Sequence, residues 1–341
     1  QVSDFRRELD LQTGMLTRSF TWATASGPKI ELFFERFLSM DNPHFGGQRL
    51  RVRSDADGQL QIMGGLDLSL VHNAAGGNMW DCLLCEPAGH TAQIAGRTRK
   101  SGQMIYSACR FTGDIRDARP APGDKKALIS FTMPLVKGKW TQVSRVVQNV
   151  KCRNGIPAGD FIADSEAETG ALAGKDYDAL KQSTQDWWAK TWAHSDIEIN
   201  GDPLNQQGIR FCIFQMHQTY HGAVIGTAIG AKGLTGEAYN GNTFWDTEAY
   251  CLPFYLFNNP HAARNLLLFR YRTLPQARKR ARALDCEGAF YPVATIDGTE
   301  SCALWQHANL QLQASTAVAY GVWHYEKITG DTSFLYDYGA E

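Results

Sequence analysis

The chain has 341 residues, a formal net charge of −1 and 20% charged residues, which is length enough for two packed cores. That balance offers no basic footprint for nucleic acid and no acidic tail, and no apolar run approaches the roughly 18 residues of a membrane-spanning helix. Aromatic residues make up 11%, with 9 Trp and 12 Tyr, a supply that suits carbohydrate sites and ordinary cores alike.

The chain begins at Gln1, directly in strand-like sequence and with no visible signal peptide. Residues 49–53, 59–63 and 66–71 alternate polar and apolar side chains at period two, as do 128–133 and 140–147. Thr13 with Gly14, Asp57 with Gly58, and Pro122 to Asp124 punctuate this region as turns. Many short strands with no long helix, out to about residue 151, predict a sandwich of antiparallel sheets. Residues 154–174, rich in Gly, Ala and Asp, read as a connector. Asp176 caps a helix running to about Trp192, with Leu180, Trp187, Trp188 and Thr191 near helical spacing.

A longer helix is expected from Pro203 to Val224, with Ile209, Cys212, Ile213, Met216 and Tyr220 as its apolar stripe; Met216, His217 and Tyr220 read as core or rim. Then comes a glycine-rich stretch in which Gly233, Gly236 and Gly241 allow tight turns or close approach to a ligand. It runs into Phe244, Trp245, Asp246 and Glu248. An indole stacks on the C–H face of a sugar and a carboxylate accepts hydrogen bonds from its hydroxyls. The same residues also suit a buried Trp at a helix start, with Asp246 and Glu248 as first-turn acids favoured by the helix dipole. Helical patterns follow at 247–258, 260–272, 274–285 and 310–329, broken at Thr273 before Pro275. The basic cluster 278–282 reads as a solvated face. The eight cysteines are scattered; Cys82 and Cys85 form a lone Cys-x-x-Cys with no second pair and no nearby His to complete a zinc site. Reduced, mostly buried thiols are expected, and no metal constellation or cofactor motif is visible.

Residues 229–248 together with 264–278, Tyr291 and Pro292, 298–300, 329–331 and 339–341 resemble glycoside hydrolase family 65, the inverting α-glucoside phosphorylases and their hydrolase relatives. The likeness is dense from Trp187 onward and weaker before it. It implies a partial N-terminal antiparallel β-sandwich (1–153), a connector and linker helix (154–202), and the first part of an (α/α)6 barrel (203–341). The last stretch is too short for a whole barrel, so a piece lacking sequence at both ends is expected. The implied activity is phosphorolysis of α-glucosidic bonds, with inversion, to β-glucose 1-phosphate. An inverting hydrolase of the same family and a catalytically incomplete sugar-binding fragment are the alternatives, and a trehalase-like or glucoamylase-like (α/α)6 enzyme is a weaker one.

By the resemblance, Trp245 and Asp246 fall at the glucose subsite, and Phe244, Glu237 and Glu248 match family positions whose roles are less defined. Residues 291–300, including Glu300, align with the acceptor loop. Val293 and Ala294 stand there where kojibiose-type members have a Trp–Glu pair, so Trp305, Gln306 and His307 are candidates for the missing stacking and hydrogen bonds. Arg272 is equally an ion-pair partner or a ligand contact. The family's general acid, a Glu in a Gly-Pro-Asp/Asn-Glu motif, has no counterpart here and is expected beyond Glu341, as are its later Lys–Gln sugar contacts and Ser/His phosphate loop. The implied partners are an α-glucoside disaccharide or oligosaccharide and inorganic phosphate as co-substrate, with no cofactor, metal, nucleic acid or membrane. A homodimer and a cytoplasmic location are the family's tendency.

Overall fold

A computed structural model of the chain describes residues 1–25, 27–73, 76–152, 156–236 and 238–340, with backbone alone at 168–171. Contacts divide it into two units, Gln1–Ala193 and His194–Glu341.

The first unit is built on antiparallel strands β1 Val2–Asp10, β2 Met15–Ala23, β3 Lys29–Leu38, β4 Phe45–Ser54, β5 Gly58–Asp67, β6 Trp80–Ala88, β7 Thr91–Thr98, β8 Met104–Gly113, β9 Arg116–Ala121, β10 Lys126–Leu135 and β11 Trp140–Cys152. Eight of them form one sheet in the order β1-β2-β3-β4-β11-β8-β7-β6, and β5-β10-β9 form a second. The alternation at 59–63 and 66–71 belongs to one strand, β5, which ends at Asp67. The two sheets share a core in which Val52, Ile94, Cys109, Ile129, Phe131 and Met133 are nearly inaccessible. Register slips mark β1, between Ser3 and Arg6, and β6, between Cys82 and Leu84.

Two helices cover the other face of the large sheet. Helix α1, Ala158–Ala173, occupies the stretch expected to be a connector. Phe161, Ser165 and Leu172 are all buried there, and the apolar pair packs with Tyr106 and Phe45 of the sheet. That stripe is enough to fold a Gly/Ala/Asp-rich segment as a helix. Helix α2, Tyr177–Ser195, starts as expected: the Asp176 carboxylate accepts from the amides of Asp178 and Ala179, both at 3.0 Å. Its Trp188 is buried against Gly14, and the Trp192 indole donates to the Leu11 carbonyl at 2.9 Å, which docks the helix on the β1–β2 turn. Tyr177 and Lys181 both bond to the Glu35 carboxylate of β3, at 2.7 and 2.9 Å.

The second unit is helical. Asp202 caps α3, Pro203–Thr219, through the amides of Leu204 and Asn205. The helix stops at Thr219, short of the expected Val224, because Tyr220 turns extended and Gly222, at φ +80°, lies against the Ala262 backbone. Its buried face is Ile213, Phe214 and His217, whereas Cys212 of the expected stripe is exposed. Next come β12 Thr243–Phe244, α4 Leu252–Asn258, α5 Pro260–Arg272, α6 Leu274–Ala283, β13 Ala294–Thr295, α7 Trp305–Leu310 and α8 Gln313–Thr329. Leu252, Tyr255, Leu266, Leu267, Tyr325 and Phe334 form the core between α4, α5 and α8. An antiparallel β unit followed by packed helices is therefore the architecture. Among the described residues, no helix is long and apolar enough to cross a membrane.

Two expectations about side chains change. Arg280 of the basic cluster turns inward, donating to Asn309 Oδ1 at 3.1 Å and to the Ala308 carbonyl, and lies 3.6 Å from the Glu300 carboxylate. Of the eight cysteines, only Cys109 and Cys152 are buried.

Candidate functional site

The glycine-rich stretch folds back on itself after α3. The Ala231 amide bonds to the Asn242 carbonyl at 2.9 Å, which brings the two ends of the stretch together. Gly233 and Gly241 adopt left-handed backbone at φ +54° and +74°, as their position in the sequence suggests. Tyr239 and Asn240 do so as well, at φ +63° and +52°, a conformation that a non-glycine residue holds only when its surroundings enforce it. The Tyr239 ring meets Phe244 edge-on at 5.4 Å, and the Lys232 ammonium sits 5.5 Å from the Tyr239 ring centre.

Between this loop, α3 and α4 lies a cavity of about 200 Å³, whose walls include Thr219, Lys232, Thr235, Phe244, Asp246 and Tyr255. Whole ligand pockets run to ~300–1,000 Å³, so this volume is on the scale of a single subsite. Asp246 is exposed and, among the described residues, engages no hydrogen-bond or ion-pair partner, which leaves both carboxylate oxygens for a ligand. It is the one carboxylate on the described lining. Thr219, Thr235 and Gln215 add polar groups, and Met216, Phe244 and Tyr255 an apolar floor. Tyr255 is fixed by donating to the Met216 carbonyl at 2.7 Å, and burial raises its pKa far above the usual phenol range, so it stays neutral. Trp245 is half-buried and turned to Tyr250, with ring centres 6.0 Å apart; the rings on the described cavity wall are Phe244 and Tyr255.

Behind Asp246 the chain winds into a π-helical turn, Thr247–Cys251, in which the Leu252 amide reaches back to the Thr247 carbonyl. Pro253 follows and has no N–H to continue the ordinary i→i−4 ladder, which accounts for the wider turn. The turn buries Glu248, 3% exposed. Both its oxygens are taken by Arg270 of α5: Nε to Oε1 at 2.7 Å and Nη2 to Oε2 at 2.8 Å. Arg270 Nη2 also reaches the Phe244 carbonyl at 3.3 Å. This fork ties the segment carrying Asp246 to α5, and Glu248 lies inside the unit, off the cavity wall. Arg270 was not singled out by the sequence reading; the adjacent Arg272, which was, is exposed.

Of the remaining sequence candidates, Glu237 lies outside the described residues. The Glu300 carboxylate accepts from the backbone amides of Val293 at 2.9 Å, Ala294 at 3.3 Å and Cys302 at 2.9 Å, and so holds the 293–302 loop in shape. That loop reaches the glycine-rich segment through β12 and β13, pairing Thr243 with Thr295 and Phe244 with Ala294. Trp305 is 64% exposed and His307 bonds to Gln311; neither lines the cavity. The structure thus brings Phe244, Asp246 and the glycine loop together, with Glu248 and Glu300 as internal supports.

Residues 210–341 match the glycosyl hydrolase family 65 central catalytic domain, and residues 1–191 match that family's N-terminal domain. The chain belongs to glycosyl hydrolase family 65. An α,α-trehalose phosphorylase from Geobacillus stearothermophilus is 40% identical over 367 residues, covering 100% of this chain and 46% of the relative. A kojibiose phosphorylase from Halothermothrix orenii is 27% identical over 369 residues, covering 100% and 47%. A maltose phosphorylase from Bacillus subtilis is 41% identical over 166 residues, covering 48% and 22%. Among solved structures, one provisionally named a kojibiose phosphorylase, from the human microbiome, superposes with a TM-score of 0.92 at 36% identity, over 99% of this chain and 45% of that one. The chain therefore spans less than half the length of these family 65 relatives.

Proposed function

We propose that this chain carries the glucosyl-recognising part of an α-glucoside phosphorylase, which cleaves disaccharides or short α-glucosides with inversion to β-glucose 1-phosphate. The observation that carries this reading is the unpartnered Asp246 on a subsite-sized cavity, between a closed glycine loop and Phe244, within the central catalytic domain of the family. In that role Asp246 accepts hydrogen bonds from sugar hydroxyls, charge-assisted and so stronger than neutral ones, while Phe244 offers the apolar surface beside it. Inverting hydrolysis needs two carboxyl groups about 6.5–9.5 Å apart, one to protonate the leaving oxygen and one to activate water. Phosphorolysis needs only the acid, because phosphate itself attacks the anomeric carbon from the opposite face. The named activities of the relatives above favour phosphorolysis. The proton then comes from a carboxyl outside the described cavity lining. The helices from α3 onward are read as part of an (α/α)6 barrel.

The test is a panel of α-linked glucobioses incubated with the full-length protein, with and without phosphate, and followed by proton NMR. β-Glucose 1-phosphate forming only with phosphate is the expected result. Release of β-glucose at an undiminished rate without phosphate would refute phosphorolysis.

A further inference from the structure

The lone Cys-x-x-Cys of the sequence has no part in the cavity of the second unit; it lies on β6, which ends the eight-stranded sheet and pairs with β7. On a regular strand, residues three apart point to opposite faces. Here the register slips. Cys82 stands opposite Gly96 and Leu84 opposite Ala95, so three residues of β6 face two of β7. Cys85 consequently lies opposite Ile94, two residues from Gly96 on β7 and therefore on the same face as Cys82. Both side chains pack against the core shared with the second sheet, and both are half-buried free thiols. Cys82 Sγ approaches the Leu84 carbonyl at 3.3 Å. Cys82 and Cys85 are three residues apart in the chain but stand opposite positions only two apart on β7, so the bulge shortens the span between them. The bulge thus places both thiols on one face of the strand that ends the sheet.

We propose that Cys82 and Cys85 are a dithiol modification site, oxidised by peroxides to a bridge within β6 and restored by a dithiol reductant. The first attack is assigned to Cys82 and the second to Cys85, whose thiol burial, and next the neighbouring Cys82, hold above its ordinary pKa. With hydrogen peroxide, the Cys82 thiolate attacks one oxygen and the O–O bond breaks. A sulfenic acid forms, and the departing hydroxide takes up the thiol's proton as water. The Cys85 sulfur then attacks the Cys82 sulfur; the S–O bond breaks, and the hydroxyl leaves with the Cys85 proton as a second water. The two sulfurs lose two electrons, and the peroxide gains them.

The experiment treats the reduced protein with hydrogen peroxide, alkylates the remaining thiols and maps the peptides. The exposed Cys212 and Cys286 serve as internal standards. We expect a single peptide carrying a bridge between residues 82 and 85, two fewer thiols open to alkylation on β6, and full recovery with dithiothreitol. Phenylarsine oxide, a probe for paired thiols, should bind the reduced protein and fail after peroxide. In Cys85→Ser, the Cys82 sulfenic acid should persist and be trapped by dimedone. Full alkylation of both cysteines once Cys212 and Cys286 have been oxidised would overturn the proposal. So would their conversion to sulfinic acids without a bridge, or a bridge from either one to a third cysteine. The results that would overturn the proposal are read on the unmutated protein, and none of the readouts depends on any turnover of glucosides.

Discussion

Replacing Glu248 by Gln separates the two physical roles that a buried acid at the start of a helical turn can play. A first-turn carboxylate acting only on the helix dipole contributes about 0.3–1 kcal/mol. Glu248 is instead one half of a fork whose two side chains are each 3% exposed and whose N–O distances are 2.7 and 2.8 Å. Removing one partner of such a pair strands the other charge in the interior, which costs about 3–5 kcal/mol. Against total stabilities of ~5–15 kcal/mol, that is about a fifth or more. Urea unfolding, followed through the helical circular-dichroism signal, should show the midpoint falling by about 2 M if the slope is ~2 kcal/mol per molar. The double variant Glu248→Leu, Arg270→Met, which removes both charges at similar volume, should recover most of the loss. A cost below ~1 kcal/mol for Glu248→Gln, or a double variant as unstable as the sum of the singles, would show that the fork does not hold the segment carrying Asp246.

Asp246→Asn should weaken the binding of a glucosyl unit by about 10- to 100-fold in a titration, the span of one or two charge-assisted hydrogen bonds, while stability stays within ~0.5 kcal/mol because the side chain is exposed. Gly14→Ala places a Cβ on the Trp188 indole at φ +71°; a loss of about 2 kcal/mol is expected, read as a fall of ~4–8 °C in Tm. Glu300→Gln should destabilise the unit by about 1–3 kcal/mol and speed hydrogen exchange at the amides of Val293, Ala294 and Cys302, which the carboxylate now holds. Burial lowers the His217 pKa from 6.5 to about 4, so the unfolded chain takes up this proton at higher pH than the folded one. Its contribution is therefore complete above pH ~6.5 and is lost as the pH falls through about 4, amounting to about 3 kcal/mol; His217→Gln should flatten that limb of the stability curve.

The strands that could be read in advance are those with one face buried. Residues 49–53 and 128–133 lie within β4 and β10, where inaccessible and partly accessible side chains alternate. β8 was not legible, because four consecutive residues from Tyr106 to Cys109 are buried and the period-two signal disappears where both faces are covered. Helix α1 was missed for the opposite reason: a sparse stripe of Phe161, Ser165 and Leu172 is hidden in a composition typical of linkers.

At the candidate site, the glycines were the legible part, since Gly233 and Gly241 signal left-handed backbone on their own and adopt it. The acids were harder. Glu248 and Glu300 look like ligand groups in the sequence, yet one is consumed by an arginine 22 residues away and the other by three backbone amides. Neither partner is visible until the chain is folded. The Arg270 that mattered sits two residues from the Arg272 that was noticed, and helical phase alone decides which of them points inward.

The slips at Cys82 and between Ser3 and Arg6 have a consequence beyond local geometry. A sheet of eight strands has two outer rims, each a row of amides and carbonyls able to recruit a strand from a neighbouring molecule. On the β1 rim, the irregularity is followed by the consecutive cations Arg6 and Arg7. On the β6 rim, it is followed by Pro87, which has no amide hydrogen to offer. Both rims therefore break the straight, regular template that strand-by-strand polymerisation needs, and straightening either one should show first as fibrous aggregation.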